Sequence, residues 1–280
     1  MRDNISQKIF IVGDKWLYYK IYCGIKTTDM ILTEIIKPLT RELIEEKLID
    51  TWFFIRYSDP EPHVRFRFKI TQLEKLGEII LKVKNQLLNY INTNQIWDIQ
   101  LATYKREIER YGVNTIEDVE SFFFCDSKQI LRIIEVSEND EVRFLKLFKY
   151  LENIIQLFEL EDKKALFFLK QMQQQFTEEI DVTKTVRKEL SNTYRRLEPQ
   201  LHDSSSFNFQ NKEASIKIVN RFLKLEKEKK LQVSTEHLLA CFIHMSINRC
   251  FRSKQRLYEM MLYDFLYRKN NSIYIRNGEL

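Results

Sequence analysis

The chain reads as an α+β protein. A ferredoxin-like antiparallel sheet of order β-α-β-β-α-β is expected over residues 1–111, with a mostly α-helical half, 112–280, packed on its open face. Three observations predict this. Residues 63–70 alternate strictly, with Val64, Phe66, Phe68 and Ile70 on one face and His63, Arg65, Arg67 and Lys69 on the other. Two segments of helical periodicity separate the strand-like runs that precede residue 106. From Gly112 onward glycine and proline nearly vanish, and apolar residues recur at helical spacing.

The elements follow in order. Ile9–Val12 forms a short edge strand, and Trp16–Cys23 a strand rich in aromatic residues. On the latter, Leu17, Tyr19, Ile21 and Cys23 face one way, and Trp16, Tyr18, Lys20 and Tyr22 the other. Thr27, Thr28 and Asp29 offer caps to a helix that runs to about Asp50, kinked at Pro38. A hairpin follows at about 51–57 and 63–70, turned by Ser58, Asp59, Pro60, Glu61 and Pro62. Residues 71–93 are helical, and 96–106 read as a fourth strand. Further helices are expected at about 115–135, 139–160, 162–178, 183–197, 212–229, 234–251 and 254–268, with 199–211 the most loop-like stretch.

Parity gathers charge. If Val64, Phe66 and Phe68 lie under the helices, Arg65 and Arg67 occupy the open face, and Arg56 is expected to add to it. On the fourth strand Ile99 and Leu101 go under the helices, so Gln100, Tyr104 and Arg106 join the open face. The helical half is expected on that face because Trp16, Tyr18 and Tyr22 would otherwise sit in water.

The bulk properties exclude several classes. With 280 residues, 44% of them hydrophobic, the chain can build a sizeable core. Five glycines, and neither G-x-G-x-x-G nor G-x-x-x-x-G-K-[ST], argue against a nucleotide-cradling loop. The net charge of +5 comes without a long basic tract, which fits an anionic group or acidic peptide better than nucleic acid. Cys23, Cys125, Cys241 and Cys250 show no C-x-x-C spacing and read as reduced thiols. No apolar run suits a signal peptide or a membrane span, so a cytoplasmic location is expected.

A second informative stretch is Ser234–Cys250. Ser234 suits an N-cap, and His237, Cys241, His244 and Asn248 share one helical stripe, with Arg249 beside it. His244 interrupts an apolar helix and needs a partner there, Asn248 or a backbone carbonyl. His-x3-Cys-x2-His is not a familiar zinc spacing, and neither metal nor other cofactor is expected. Glu107 and Arg110 are placed to pair with each other. Glu117, Asp118 and Glu120 read as a solvated acidic face, as does the charged run 159–164.

Three motifs, W-F-F-I-R-Y-x-D-P-x-P-H-V-R-F-R, T-Y-x-R-E-x-x-R-Y-G and H-M-x-x-N-R, occur in that order. Together they resemble the C-terminal glutamate-elimination domain of class I lantibiotic dehydratases, found also as free-standing thiopeptide-type bacteriocin biosynthesis proteins. The resemblance runs from Trp16 to about Tyr267 and implies one elimination domain made of both halves. It implies a lyase that removes glutamate from glutamylated Ser or Thr of a ribosomal precursor peptide, leaving dehydroalanine or dehydrobutyrine. Matched motif by motif, the catalytic residues fall on Arg65, Arg67, Arg106 and His244. Arg56, His63, Tyr104, Asn248 and Arg249 are then expected to contact substrate. Arginine suits carboxylate through its two-point fork, and histidine suits proton transfer near neutrality.

The resemblance also implies partners. The glutamylating portion of the fused enzymes has no counterpart here, so a separate tRNA-dependent glutamylating protein is expected to modify the leader-core peptide in trans. No direct nucleic-acid contact and no membrane span are expected; homodimerisation is compatible with the sequence. Two other readings share the resemblance: a pyridine-forming aza-[4+2] cycloaddition enzyme, and a non-catalytic leader-peptide binding module.

Overall fold

A computed structural model describes residues 7–180, 183–203, 207–276 and 278. Strands β2 (Trp16–Cys23), β3 (Ile49–Tyr57), β4 (His63–Ile70) and β5 (Ile96–Leu101) form an antiparallel sheet of order β3-β4-β2-β5. This is the ferredoxin-like arrangement expected from the element order. Helices α1 (Ile25–Met30) and α2 (Lys37–Glu45) precede β3, and α3 (Leu76–Asn92) precedes β5.

The β4 alternation sets the faces. Leu17, Tyr19 and Ile21 of β2 stand opposite Phe68, Phe66 and Val64. Trp52 and Phe54 of β3 join the same face. The other face carries Trp16, Tyr18, Lys20 and Tyr22 opposite Lys69, Arg67, Arg65 and His63. Arg56 stands opposite Val64, and therefore on the apolar side, contrary to expectation. Parity between two hairpin strands depends on turn length, and β3 runs one residue out of the assumed phase.

Two local departures have clear causes. The fourth strand breaks after Leu101, and β6 (Tyr104–Lys105) pairs instead with β1 (Ile9–Phe10) in a separate ribbon. Pro38 lies at the start of α2 behind a π-helical turn, Ile31–Ile36, which absorbs the missing N–H donor.

The rest is helical: α4 (Ile108–Tyr111), α5 (Ile116–Glu135), α6 (Asp140–Leu157), α7 (Asp162–Glu179), α8 (Lys184–Leu201), α9 (Lys212–Lys227), α10 (Thr235–Cys250) and α11 (Gln255–Arg276). Helix α8 continues through Pro199 into the stretch expected to be loop, and residues 204–206 of that stretch lie outside the described residues. Ser234 caps α10 as expected, its Oγ accepting from the His237 amide at 3.1 Å.

The helical half grips the sheet along β3. Phe123 of α5 packs on Phe53 from the basic face, while Phe124 packs on Trp52 from the other. Tyr104 and Phe123 help cover the basic face around Phe53, where Trp16 and Tyr18 are buried; Tyr22, at the other end of β2, is buried against His63. Behind β3, Phe122 stacks on Phe242 of α10 with centroids 3.9 Å apart. Burying each such ring stabilises the fold by about 2–3 kcal/mol. No helix of the described residues is long and apolar enough to cross a membrane.

Candidate functional site

The outer edge of β3 has unpaired backbone groups, and side chains of α5 and α10 satisfy them. Ser127 Oγ accepts from the Phe54 amide, and Arg249 Nε donates to the Phe54 carbonyl at 2.7 Å. Asn248 takes both groups of Arg56: its Oδ1 accepts from the amide and its Nδ2 donates to the carbonyl, each at 3.1 Å. Arg249 is wholly buried and paired with Asp126 at 2.7 Å. Burial pushes the Asp126 carboxyl up, with Arg249 opposing. Arg249 thus fastens α10 to the sheet and cannot meet a substrate; Asn248 does the same work while bordering the cavity described next.

That cavity, of about 420 Å³, lies where the hairpin turn meets the α10–α11 connection. Arg56, Tyr57, His63, His244, Asn248, Arg252 and Arg256 line it. Cationic groups dominate its walls, and Asp59 is the acidic residue among the lining groups. The sheet brings Arg56 and His63 here, and α10, held by its grip on β3, brings His244.

Among the described residues, His244 is bonded to neither Asn248 nor a backbone carbonyl. Its Nδ1 lies 3.0 Å from Glu259 of α11. Glu259 is 2% exposed and also accepts from Arg256 Nη1 at 3.0 Å. The carboxylate can only accept, so in the neutral ring the proton sits on Nδ1 and Nε2 keeps its lone pair. Nε2 has no protein partner among the described residues, and the ring lines the cavity. This is a carboxylate-oriented imidazole, the arrangement that suits a general base.

Arg65 approaches from the sheet. Its guanidinium lies over the Tyr57 ring at 3.4 Å, and its Nε donates to His63 Nε2 at 3.2 Å. His63 Nδ1 must then carry the proton, which it donates to the Glu61 carbonyl at 2.8 Å. Burial holds His63 below its ordinary pKa; the Glu61 carbonyl opposes this, and Arg65 and Lys20 add to the lowering. His63 therefore serves to orient Arg65.

One register step along β4, Arg67 is 7% exposed and stacked among Tyr18 at 4.2 Å, Tyr104 at 4.9 Å and Phe53 at 5.4 Å. Its Nε and Nη1 are buried without a hydrogen-bond partner among the described residues. It borders a second, small cavity of about 40 Å³, together with Ile55, Tyr104, Tyr111 and Met245. Such a space admits a few water-sized groups. Arg65 stands opposite Ile55, which lines this small cavity, and bonds His63, which lines the larger one, but itself lines neither.

Arg106 stands apart from both cavities. Its Nε and Nη2 donate to the two oxygens of Glu120 at 2.7 and 2.6 Å, and Tyr104 donates to the same carboxylate at 2.8 Å. Glu120 is buried, which overturns the expectation of a solvated acidic face; Asp118 pairs with Arg221. Burial, then Glu120, raise the Tyr104 phenol well above its ordinary pKa, so it stays protonated and donating. Arg106 thus acts on Arg67 through Glu120 and Tyr104.

Residues 16–269 match the family described as lantibiotic biosynthesis dehydratase, C-terminal. The chain belongs to that family. A similar protein is the nisin biosynthesis protein NisB of Lactococcus lactis subsp. lactis, 29% identical over 269 residues, which are 91% of this chain and 26% of NisB. The subtilin biosynthesis protein SpaB of Bacillus subtilis is 26% identical over 68% of this chain and 19% of its own length. The dehydratase-family chain therefore spans about a quarter or less of these relatives. Its fold is that of the tRNA-dependent lantibiotic dehydratase MibB from Microbispora sp. 107891, with a TM-score of 0.70 at 20% identity, covering 97% of this chain and 29% of MibB. The pyridine synthase TbtD from thiomuracin biosynthesis has the same fold, with a TM-score of 0.64 at 10% identity, covering 92% of this chain and 100% of TbtD.

Within this dehydratase-family fold, sequence reasoning passed over Glu259 and Arg252, and took Asp29 only for a helix cap, whereas it lies inside α1. Glu259 lies one helix beyond His244, in a segment with ordinary charge. Its one available signal was a carboxylate flanked by apolar residues, Tyr258, Met260, Met261 and Leu262.

Proposed function

We propose that this chain removes glutamate by β-elimination from glutamylated Ser or Thr of a ribosomal precursor peptide. The observation that carries the reading is His244: a carboxylate-held imidazole with a free Nε2 in a cavity walled by arginines. Family membership supports it.

In the reaction, His244 Nε2 takes the Cα proton. The electron pair forms the Cα=Cβ bond as the Cβ–O bond breaks, and glutamate leaves as a carboxylate. Negative charge builds first on the peptide carbonyl and then on the leaving group. Arg65 and Arg67 are proposed to meet that charge, each fixed cation lowering the barrier by about 3 kcal/mol. Arg106 contributes by holding Glu120 and Tyr104 around Arg67. Glutamylation must precede this step, because a free hydroxyl is too poor a leaving group.

A synthetic peptide bearing Ser-O-glutamate tests the reading. Mass analysis should show loss of glutamic acid with wild type and at least a hundredfold slower loss with His244→Ala. Undiminished loss in the variant would remove His244 from the mechanism, and no loss with wild type would sink the elimination reading.

A further inference from the structure

Three guanidinium groups converge on one buried carboxylate behind the cavity. Asp29 Oδ1 accepts from Arg56 Nη2 at 2.5 Å, and Oδ2 accepts from Arg143 Nη2 at 2.9 Å and Arg252 Nε at 2.6 Å. Burial disfavours the Asp29 anion, but the three arginines outweigh it and hold the carboxyl below its ordinary range. The carboxylate is thus ionised, and the cluster retains a surplus of two positive charges.

The three arginines differ in what remains to them. Arg56 is buried and also donates from Nε to the Arg249 carbonyl at 2.7 Å. Arg143 is buried and also donates to the Cys250 carbonyl at 3.1 Å. Arg252 is 39% exposed and lines the cavity with His244 and Asn248. Its Nε is spent on Asp29, and its two terminal amino groups have no protein partner among the described residues. Asp29 fixes one edge of this guanidinium and leaves donors at the cavity wall. A surplus cation that is immobilised and half-desolvated is a ready receptor for an anion.

We propose that Arg252 is the residue that reads the side-chain carboxylate of the departing glutamyl group. The proposal rests on the elimination reading. A glutamyl group delivered from an aminoacyl ester is joined to the peptide through its α-carbonyl, which leaves the side-chain carboxylate free. An arginine on the wall opposite the hairpin can hold that carboxylate while Arg65 and Arg67 meet the charge at the ester. Arg252 would then separate glutamyl from glutaminyl esters, which differ only at that end.

Two measurements test it on the intact chain. The first is kcat/KM for elimination from matched Ser-O-glutamyl and Ser-O-glutaminyl peptides. The second is equilibrium binding of glutarate, a dicarboxylate that cannot react. Wild type should favour the glutamyl peptide at least tenfold. Arg252→Gln should bring that ratio near one, chiefly through KM, and weaken glutarate at least fivefold; Arg252→Lys should restore part of both. A ratio and a glutarate affinity unchanged in Arg252→Gln would overturn the anchor and leave elimination standing. Glutarate binding lost in the variant, with no elimination by wild type, would keep the anchor and remove the elimination reading. Neither binding nor elimination by wild type would overturn both.

Discussion

Glu259 holds His244 by its Nδ1 at 3.0 Å, and Arg256 holds Glu259 in turn. The carboxylate therefore selects the tautomer that turns a free Nε2 toward the cavity. Glu259→Gln keeps the shape but lets the amide donate or accept, so the tautomer is no longer imposed. Turnover of a Ser-O-glutamyl peptide should fall roughly 10- to 100-fold in kcat with little change in KM. An unchanged kcat in Glu259→Gln would show that the pair serves packing alone.

Arg67 exposes the tension between function and stability. A buried guanidinium with two unpartnered N–H positions is costly, and three aromatic rings return only part of that cost. Arg67→Met should leave the urea midpoint unchanged or raise stability by about 1 kcal/mol, while elimination drops at least 100-fold. Destabilisation beyond about 1 kcal/mol would mean that the cation holds the fold together through its rings.

His63 supplies a pH dependence with a definite sign. Its folded pKa is held below the ordinary value of about 6.5, so the folded state binds fewer protons than the unfolded one. The stability from the neutral ring is fully present above about 6.5 and is lost as pH falls through the folded value. His202 is shifted in the same direction by burial, so the comparison must be with a variant. Urea midpoints from pH 8 to 5 should fall less steeply for His63→Gln, whose amide oxygen can still accept from Arg65. Equal slopes would remove His63 as a source of the acid sensitivity.

The fold was largely legible, because period-two and helical spacing report directly on which side chains share a face. The β4 alternation anticipated the face that Arg65 and Arg67 share, where they stand opposite Lys20 and Tyr18. The order of elements anticipated the ferredoxin-like strand order. Arg56 was misplaced because its phase depends on how many residues the hairpin turn consumes. The burial of Glu120 was missed because its partner, Arg106, was assigned to catalysis instead.

By itself the sequence determined the faces of β2 and β4, the family through its three motifs, and the interest of Arg65, Arg67 and His244. Tertiary structure alone decided which charges are available. Arg106, Arg249 and Arg56 are tied to carboxylates or carbonyls supplied by distant segments, and Arg249 is sealed from solvent, whereas Arg67 and Arg252 border cavities with donors that have no protein partner among the described residues. The physical reason is that a charge's role is set by what lies within about 3 Å of it. For Asp29 and Arg252, 223 residues apart in the chain, no local pattern carries that information.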